Sequence, residues 1–212
     1  MITTLANSLE NDIIFGVYAP GFRLTEDVVM EHYDTKRHTV RAAFSVLKTR
    51  GLLMHKPNRG VEVISFTPDD VDALYGLRII LESAAADLTS LPVDSNIIKD
   101  LEEISRNHQS ACESKDFHKI FALNKEFHRI QYGCCDNIRL VALIEEQARL
   151  AQTIRVVKYD DAVHMRGVVA QHFDIIDAMR GHSKSTYVQA TRKHLPASAD
   201  AFRLLYKKRF GK

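Results

Sequence analysis

Three histidines interrupt apolar stripes in the second half of this 212-residue sequence. His128 follows Asn124 by four residues, so both lie on one face of a predicted helix, while His172 and His194 lie on two later predicted helices. Imidazole nitrogens with a carboxamide oxygen suit zinc, with nickel or another first-row divalent ion as alternatives. A hydrogen-bonded core residue is the simpler interpretation of any one histidine, but the group of three predicts a metal site.

An arginine interrupts another apolar stripe. Arg78 lies between Leu74 and Leu81 at helical spacing, and a buried guanidinium needs an anionic partner. One alternative is an internal ion pair, for example with Glu145 or Glu146. The other is a bound anion: neutral imidazoles leave a metal's charge uncompensated, so the pocket would favour a small carboxylate such as a sugar acid, organic acid or amino-acid derivative. A hydroxyl beside the carboxylate would let such an effector chelate the metal.

The segment that carries these residues is predicted to be helical throughout. Thr67-Pro68-Asp69-Asp70 is a typical helix opening and marks a domain boundary, giving domains at 1–66 and 67–212. Breaks near Pro92, Gly133 and Gly181 separate the helices, and Pro196 should kink the last one. The predicted helices are 68–89, 94–113, 116–132, 137–158, 162–180 and 184–209. We find no phosphate-binding glycine motif, which argues against a Rossmann or P-loop enzyme.

The first 66 residues predict a DNA-binding module. A helix over 3–15, a short helix ending near Tyr33, a helix over 36–50 and a hairpin follow one another, which is the order of a winged helix-turn-helix. Seven basic residues and no acid lie between Thr35 and Val61. Such a stripe is typical of a surface that contacts phosphate, although a solvated face is the alternative.

The third predicted helix has the features of a recognition helix. Val40, Phe44 and Leu47 form a buried stripe, which turns Arg37 and Arg41 outward one helical turn apart. Arginine is suited to bidentate contact with guanine in the major groove. Arg59, at the tip of the hairpin, could reach the minor groove or a phosphate.

Several segments carry a resemblance to a known family. Gly16 to Leu24, Lys36 to Phe44, Gly51-Leu-Leu and Pro57-Asn-Arg-Gly60 resemble the GntR family of bacterial transcription regulators. The resemblance implies DNA contacts from the recognition helix and from the wing. The implied contact residues are Arg37, His38, Thr39, Arg41, Arg59 and Gly60.

The second half resembles the FCD effector domain of the FadR subfamily, through Leu123-Asn-Lys-Glu-Phe-His128, Gln171-His172 and Arg192-Lys-His194. This resemblance implies a mainly α fold in which an all-helical bundle of six to seven helices follows the winged helix-turn-helix. It also implies a central pocket in which Arg78 faces a bound carboxylate and a divalent metal is held by four side chains. Those four are Asn124, His128, His172 and His194.

The sequence thus predicts a ligand-responsive transcription regulator, most simply a repressor, that binds a palindromic double-stranded operator as a homodimer. Two other functions stay open: a mononuclear metal-dependent enzyme, and a dimerisation module with a vestigial pocket. With 45% apolar and 26% charged residues the composition is that of an ordinary globular protein. The sequence contains no membrane-spanning stretch, no signal peptide and no CxxC spacing among its three cysteines, so we expect a cytoplasmic location.

Overall fold

The computed structural model describes residues 2–56 and 60–211, which form two compact units, Met1–Thr67 and Pro68–Lys212. The mainly α fold predicted from the sequence is confirmed: a winged helix-turn-helix is followed by an all-helical domain. Within the described ranges, none of the helices has both the length and the apolar composition needed to cross a membrane.

The N-terminal unit is a three-helix core with a small hairpin. Its elements are α1 (Ile2–Ile14), α2 (Glu26–Tyr33), α3 (Arg37–Thr49), β1 (Leu53–Lys56) and β2 (Gly60–Val63). The two strands pair antiparallel, with Leu53 opposite Val63. Thr25 begins α2 by accepting a hydrogen bond from the Val28 amide at 3.3 Å.

The recognition helix α3 is positioned by its apolar side. Val40, Ala43 and Leu47 are fully buried and belong to a core that includes α1 and the hairpin. Burial of this stripe fixes the rotation of α3 about its axis, which decides the side chains that face solvent.

The C-terminal unit consists of helices and a single 3-10 turn, Val156–Lys158, among the residues described. Helix α5 packs against α6 and α9, and α4 packs against α10 and α7. The helices are α4 (Pro68–Leu88), α5 (Ser95–Ser114), α6 (Phe117–Gly133), α7 (Ile138–Leu150), α8 (Gln152–Arg155), α9 (Ala162–Arg180), α10 (Lys184–His194) and α11 (Pro196–Phe210).

Two of the helices predicted as continuous are interrupted. The helix predicted over 137–158 ends at Leu150 and continues as the short α8 and the 3-10 turn. This segment is rich in β-branched residues, which lower helix propensity. The helix predicted over 184–209 divides at Leu195 because Pro196 lacks a backbone donor, and the expected kink is confirmed.

Candidate metal centre and nucleic-acid interface

The three predicted histidines meet inside the helical unit. They come from three helices: His128 from α6, His172 from α9 and His194 from α10. One ligand atom from each lies within 4.8 Å of the others, and the Nε2 atoms of His128 and His194 are 3.2 Å apart. Tetrahedral zinc with bonds of roughly 2.0–2.1 Å places its nitrogen ligands a little over 3 Å apart. Only small side-chain movements would therefore gather all three around one ion.

Two glutamines set the orientation of these rings. Oε1 of Gln131 lies 2.9 Å from Nδ1 of His128, and Oε1 of Gln171 lies 3.1 Å from Nδ1 of His194. With the amide oxygens facing the rings, each Nδ1 would donate and each Nε2 would keep its lone pair, which is the tautomer that binds a metal through Nε2. At its other end, Gln131 Nε2 donates to the Thr191 hydroxyl at 3.5 Å. In that tautomer the two Nε2 lone pairs face each other, an arrangement that a cation between them would stabilise.

His172 completes the group from the opposite side. Its ring stacks on Phe127 with centroids 4.0 Å apart, and the residue is fully buried. Neither ring nitrogen of His172 has a hydrogen-bond partner among the residues described. A buried imidazole without a partner is costly, which is an independent indication that a bound group completes the centre.

Burial keeps the three imidazoles neutral. Desolvation, reinforced by the neighbouring His194, holds the pKa values of His128 and His172 well below their ordinary range. Desolvation, with the positive charge of Arg155, lowers the pKa of His194 to about 3. Neutral imidazole is the form that binds a metal, so the rings need release no proton to do so near neutral pH.

Asn124 lies on the same side of α6 as His128, and both side chains are buried. With His194, Arg155 and Ser198 it lines a cavity of about 20 Å³, which is about the space that one oxygen atom or water requires. The predicted fourth ligand is therefore at the edge of the histidine group. Its coordination of an ion is a proposal.

Arg78 has a partner within its own helix. Its Nε donates to Oε1 of Glu82 at 2.8 Å, and both side chains are almost completely buried. Tyr132 donates its hydroxyl to the other oxygen of Glu82. Burial is the largest single influence on the pKa of Arg78 and lowers it, but the combined effects of Glu82, Tyr75 and Tyr132 raise this pKa overall. Of the sequence alternatives, the internal ion pair is present, and its acid is Glu82 and not Glu145 or Glu146.

Sequence reasoning missed Arg155. This arginine lines the small cavity beside Asn124 and also a second cavity of about 250 Å³ that contains His128, Tyr132 and Gln152. Desolvation and the nearby Arg78 lower the pKa of Arg155, and no carboxylate in the described part of the chain pairs with it. Arg155 is thus a partly buried cation without an anion, next to the histidine group.

The predicted DNA contacts of α3 are mostly exposed. Arg37 and Arg41 face outward with 54% and 66% of their side chains accessible. In this state they pair with acids of α2: Arg37 with Asp27 at 2.6 Å, and Arg41 with Glu26 at 2.8 Å. The seven-residue basic stripe is therefore partly neutralised by acids that precede it in the chain.

The other predicted DNA contacts differ among themselves. His38 is exposed beside the two arginines, and Gly60 is exposed at the start of β2 with a φ of +79°, which a glycine adopts without strain. Thr39 is buried, so the structure does not support a direct DNA contact from its side chain. Arg59 lies outside the described residues, and its role stays a prediction.

Comparison with protein families agrees with both units. Residues 2–63 match the model described as bacterial regulatory proteins of the gntR family, and residues 73–197 match the FCD domain. Together these matches cover most of the chain. The protein belongs to the GntR family of transcription regulators and carries an FCD domain, as the sequence resemblance predicts.

Individual relatives share this organisation. An HTH-type transcriptional regulator of Bacillus subtilis, YdhC, is 27% identical over 90% of this chain and 84% of its own length. The transcriptional repressor RspR of Escherichia coli is 25% identical over 92% and 86%, respectively. A GntR regulator from Rhodococcus sp. RHA1 has a similar structure, with a TM-score of 0.77 and 25% identity over 95% of this chain and 96% of that one. Since the family and these relatives are transcription regulators, the alternative of a metal-dependent enzyme is not supported.

The ion pair of Arg78 generates a prediction about stability. Glu82→Leu leaves a buried guanidinium without its acid, which typically costs about 3–5 kcal/mol of unfolding free energy. The double variant Arg78→Leu/Glu82→Leu should recover most of this loss, because it removes both charges. Urea denaturation of the two variants and of the wild type measures the difference. Equal stability of Glu82→Leu and wild type would contradict the pairing.

Proposed function

We propose that this protein is a cytoplasmic, ligand-responsive regulator, most simply a repressor, whose helical domain binds a divalent metal and a small carboxylate effector. The observation that carries this proposal is the meeting of three imidazoles whose ligand atoms lie within 4.8 Å of one another, two of them with Nε2 atoms 3.2 Å apart. The winged helix supplies operator binding, and the helical domain supplies the response.

The metal proposal follows from the donor set. His128, His172 and His194 supply three nitrogens, and Asn124 supplies a neutral oxygen one helical turn before His128. Zinc is the ion that this set fits best, with nickel or another first-row ion as alternatives. Gln131 and Gln171 act as the outer partners that metal-bound histidines usually have.

The charge around the centre favours an anionic effector. None of the four proposed ligands is charged, so a divalent ion would keep its full charge. The larger cavity, of about 250 Å³, has four basic residues and a single acid among those that line it. The charged residues concerned are Lys125, Arg129, Arg149, Arg155 and Glu145. A small carboxylate that reaches both the ion and a guanidinium would neutralise part of this excess positive charge.

Two arginines are candidates for pairing with the carboxylate. Arg155 is open to both cavities and has no acid of its own, so we assign the direct contact to it. Arg78, the arginine that the sequence singled out, is already held by Glu82. We propose that Arg78 acts without direct contact: its positive charge adds to the electrostatic potential that attracts an anion to the site.

A homodimer fits the proposed operator binding, because a two-fold protein recognises a palindromic site. The helical unit offers an apolar surface for a second copy. Leu77 and Ile80 on α4 are 43% and 66% exposed, and Ile138 and Leu143 on α7, which packs against α4, are 81% and 48% exposed. Exposed apolar side chains on two adjoining helices are typical of an interface between subunits.

Operator binding gives the first test. Arg37→Ala and Arg41→Ala should each lower affinity for the specific operator by a factor of about 10 to 100, because a base contact contributes about 1–3 kcal/mol. Gel-shift titration against operator and random DNA measures the ratio of specific to non-specific binding. Arg106→Ala, which removes one exposed arginine from α5, serves as the charge-matched control. Operator affinity equal to that of the control in both variants would remove these arginines from the interface.

Metal analysis gives the second test. The purified wild type should carry about one divalent ion per chain, and the double variant His128→Ala/His172→Ala should lose it together with the increase in Tm that metal provides. His182→Ala, in the loop after α9, is the matched control. Asn124→Asp should bind the ion more tightly, since it adds a charged ligand. Wild type that binds no first-row ion would refute the metal proposal.

Effector binding gives the third test. Calorimetric titration of a panel of small carboxylates into zinc-loaded protein should show that Arg155→Ala weakens the tightest ligand about 10- to 100-fold, since a charged hydrogen bond contributes about 1.5–3 kcal/mol. Arg78→Ala should weaken it less, and Arg180→Ala, at the exposed end of α9, should leave it unchanged. A neutral compound as the tightest ligand, or full affinity in Arg155→Ala, would contradict the assignment.

A further inference from the structure

A fourth histidine lies beside the centre, outside the group that the sequence singled out. His108 is on α5, is fully buried, and its ring centroid is 5.2 Å from that of His172. Its nitrogens do not fall within the close cluster formed by the other three imidazoles. His108 is therefore placed next to the proposed ligands without being one of them.

Both ring nitrogens of His108 lack a hydrogen-bond partner among the described residues. An apolar side chain of similar volume would fill this position without leaving donors and acceptors unpaired, so the imidazole carries an energetic cost. Burial keeps it neutral by lowering the pKa of His108 to about 4. A neutral imidazole offers one N–H donor and one nitrogen acceptor.

A small cavity beside His108 has room for the missing hydrogen-bond partner of its imidazole. His108 lines the cavity of about 20 Å³, whose other polar residues include Asn124, Arg155 and His194. That volume accommodates a single oxygen atom of a water or of a hydroxyl group. Arg155 lines both cavities, so a ligand that pairs with Arg155 in the larger cavity lies next to the smaller one.

We propose that His108 is a ligand-contacting residue that determines specificity: its imidazole hydrogen-bonds a hydroxyl oxygen of the effector in the small cavity, while the carboxylate pairs with Arg155 in the large one. In the absence of effector, a water occupies the same position. A hydroxyl can accept from Arg155 and donate to the unprotonated ring nitrogen of His108, whereas a ligand without the hydroxyl pairs with Arg155 through its carboxylate alone and offers His108 no partner. This inference rests on the proposed function, because it assumes that the effector is a carboxylate.

The test uses two probes that differ by one hydroxyl, malate and succinate, titrated calorimetrically into the zinc-loaded, full-length protein. Wild type should bind malate about tenfold more tightly than succinate, as expected for one buried hydrogen bond. In His108→Leu this ratio should fall to about one, whereas His108→Gln, which retains an amide donor and acceptor, should keep part of it. His182→Gln is the control at an exposed histidine and should retain the full ratio. If His108→Leu does not fold, His108→Phe removes the same hydrogen bonds and keeps an aromatic ring beside His172.

The outcomes separate this inference from the proposed function. A ratio that persists in His108→Leu, or a wild type that binds both acids equally or neither, overturns the role of His108 while its zinc content still reports on the metal centre. Loss of zinc in His108→Leu also overturns the specificity role, because that result would make His108 a metal ligand. Wild type that binds no zinc refutes both. A merely structural role for His108 would change Tm without changing the ratio of the two affinities.

Discussion

The helical domain depends on one constraint: neutral imidazoles from α6, α9 and α10 are held close together, two of them buried and the third half-buried. The amide oxygens of Gln131 and Gln171 lie within hydrogen-bond distance of Nδ1 of His128 and His194, and the Nε2 atoms of these two rings converge to 3.2 Å. In an apolar bundle this arrangement is unfavourable unless a positive charge lies between the nitrogens. The packing of three helices is thus linked to the ligand, and an ion that binds there stabilises the contacts among them.

Periodicity predicted this histidine group because each histidine breaks an apolar stripe. His108 and Arg155 break apolar stripes in the same way. His108 follows Ile98 and Leu101 along the buried side of α5, and Arg155 continues the stripe that includes Ile144 on α7. Both residues could therefore have been found from the sequence. The helix predicted over 137–158 includes Arg155, although the structure interrupts that helix at Ala151.

The ion-pair partners of the arginines were harder to predict from the sequence than the positions of the arginines themselves. Glu82 lies four residues after Arg78, a spacing that favours an ion pair on one helix, but the sequence does not show that both are buried or that Tyr132 also bonds to the acid. Similarly, the stripe of α3 predicted the outward direction of Arg37 and Arg41, whereas their pairing with Asp27 and Glu26 depends on how α2 packs. Cavity volumes are equally hard to predict from the sequence, because they arise from the packing of several helices at once.

The ion pairs of Arg37 and Arg41 affect how much free energy these two residues can contribute to operator binding. If Arg37 and Arg41 contact DNA as proposed, they exchange carboxylates of α2 for bases or phosphates, so the net gain in binding free energy is the difference between two charged contacts at an exposed surface. The acids hold the guanidiniums in place before DNA arrives, which reduces the side-chain entropy lost on binding, and they also repel phosphates that do not present a suitable partner. Specific contacts can compensate for the lost ion pairs, whereas diffuse contact with phosphate compensates less. Under the proposed operator contacts, Glu26 and Asp27 would favour selectivity over affinity, and an effector that changes this competition by a few kcal/mol would shift the operator-bound population.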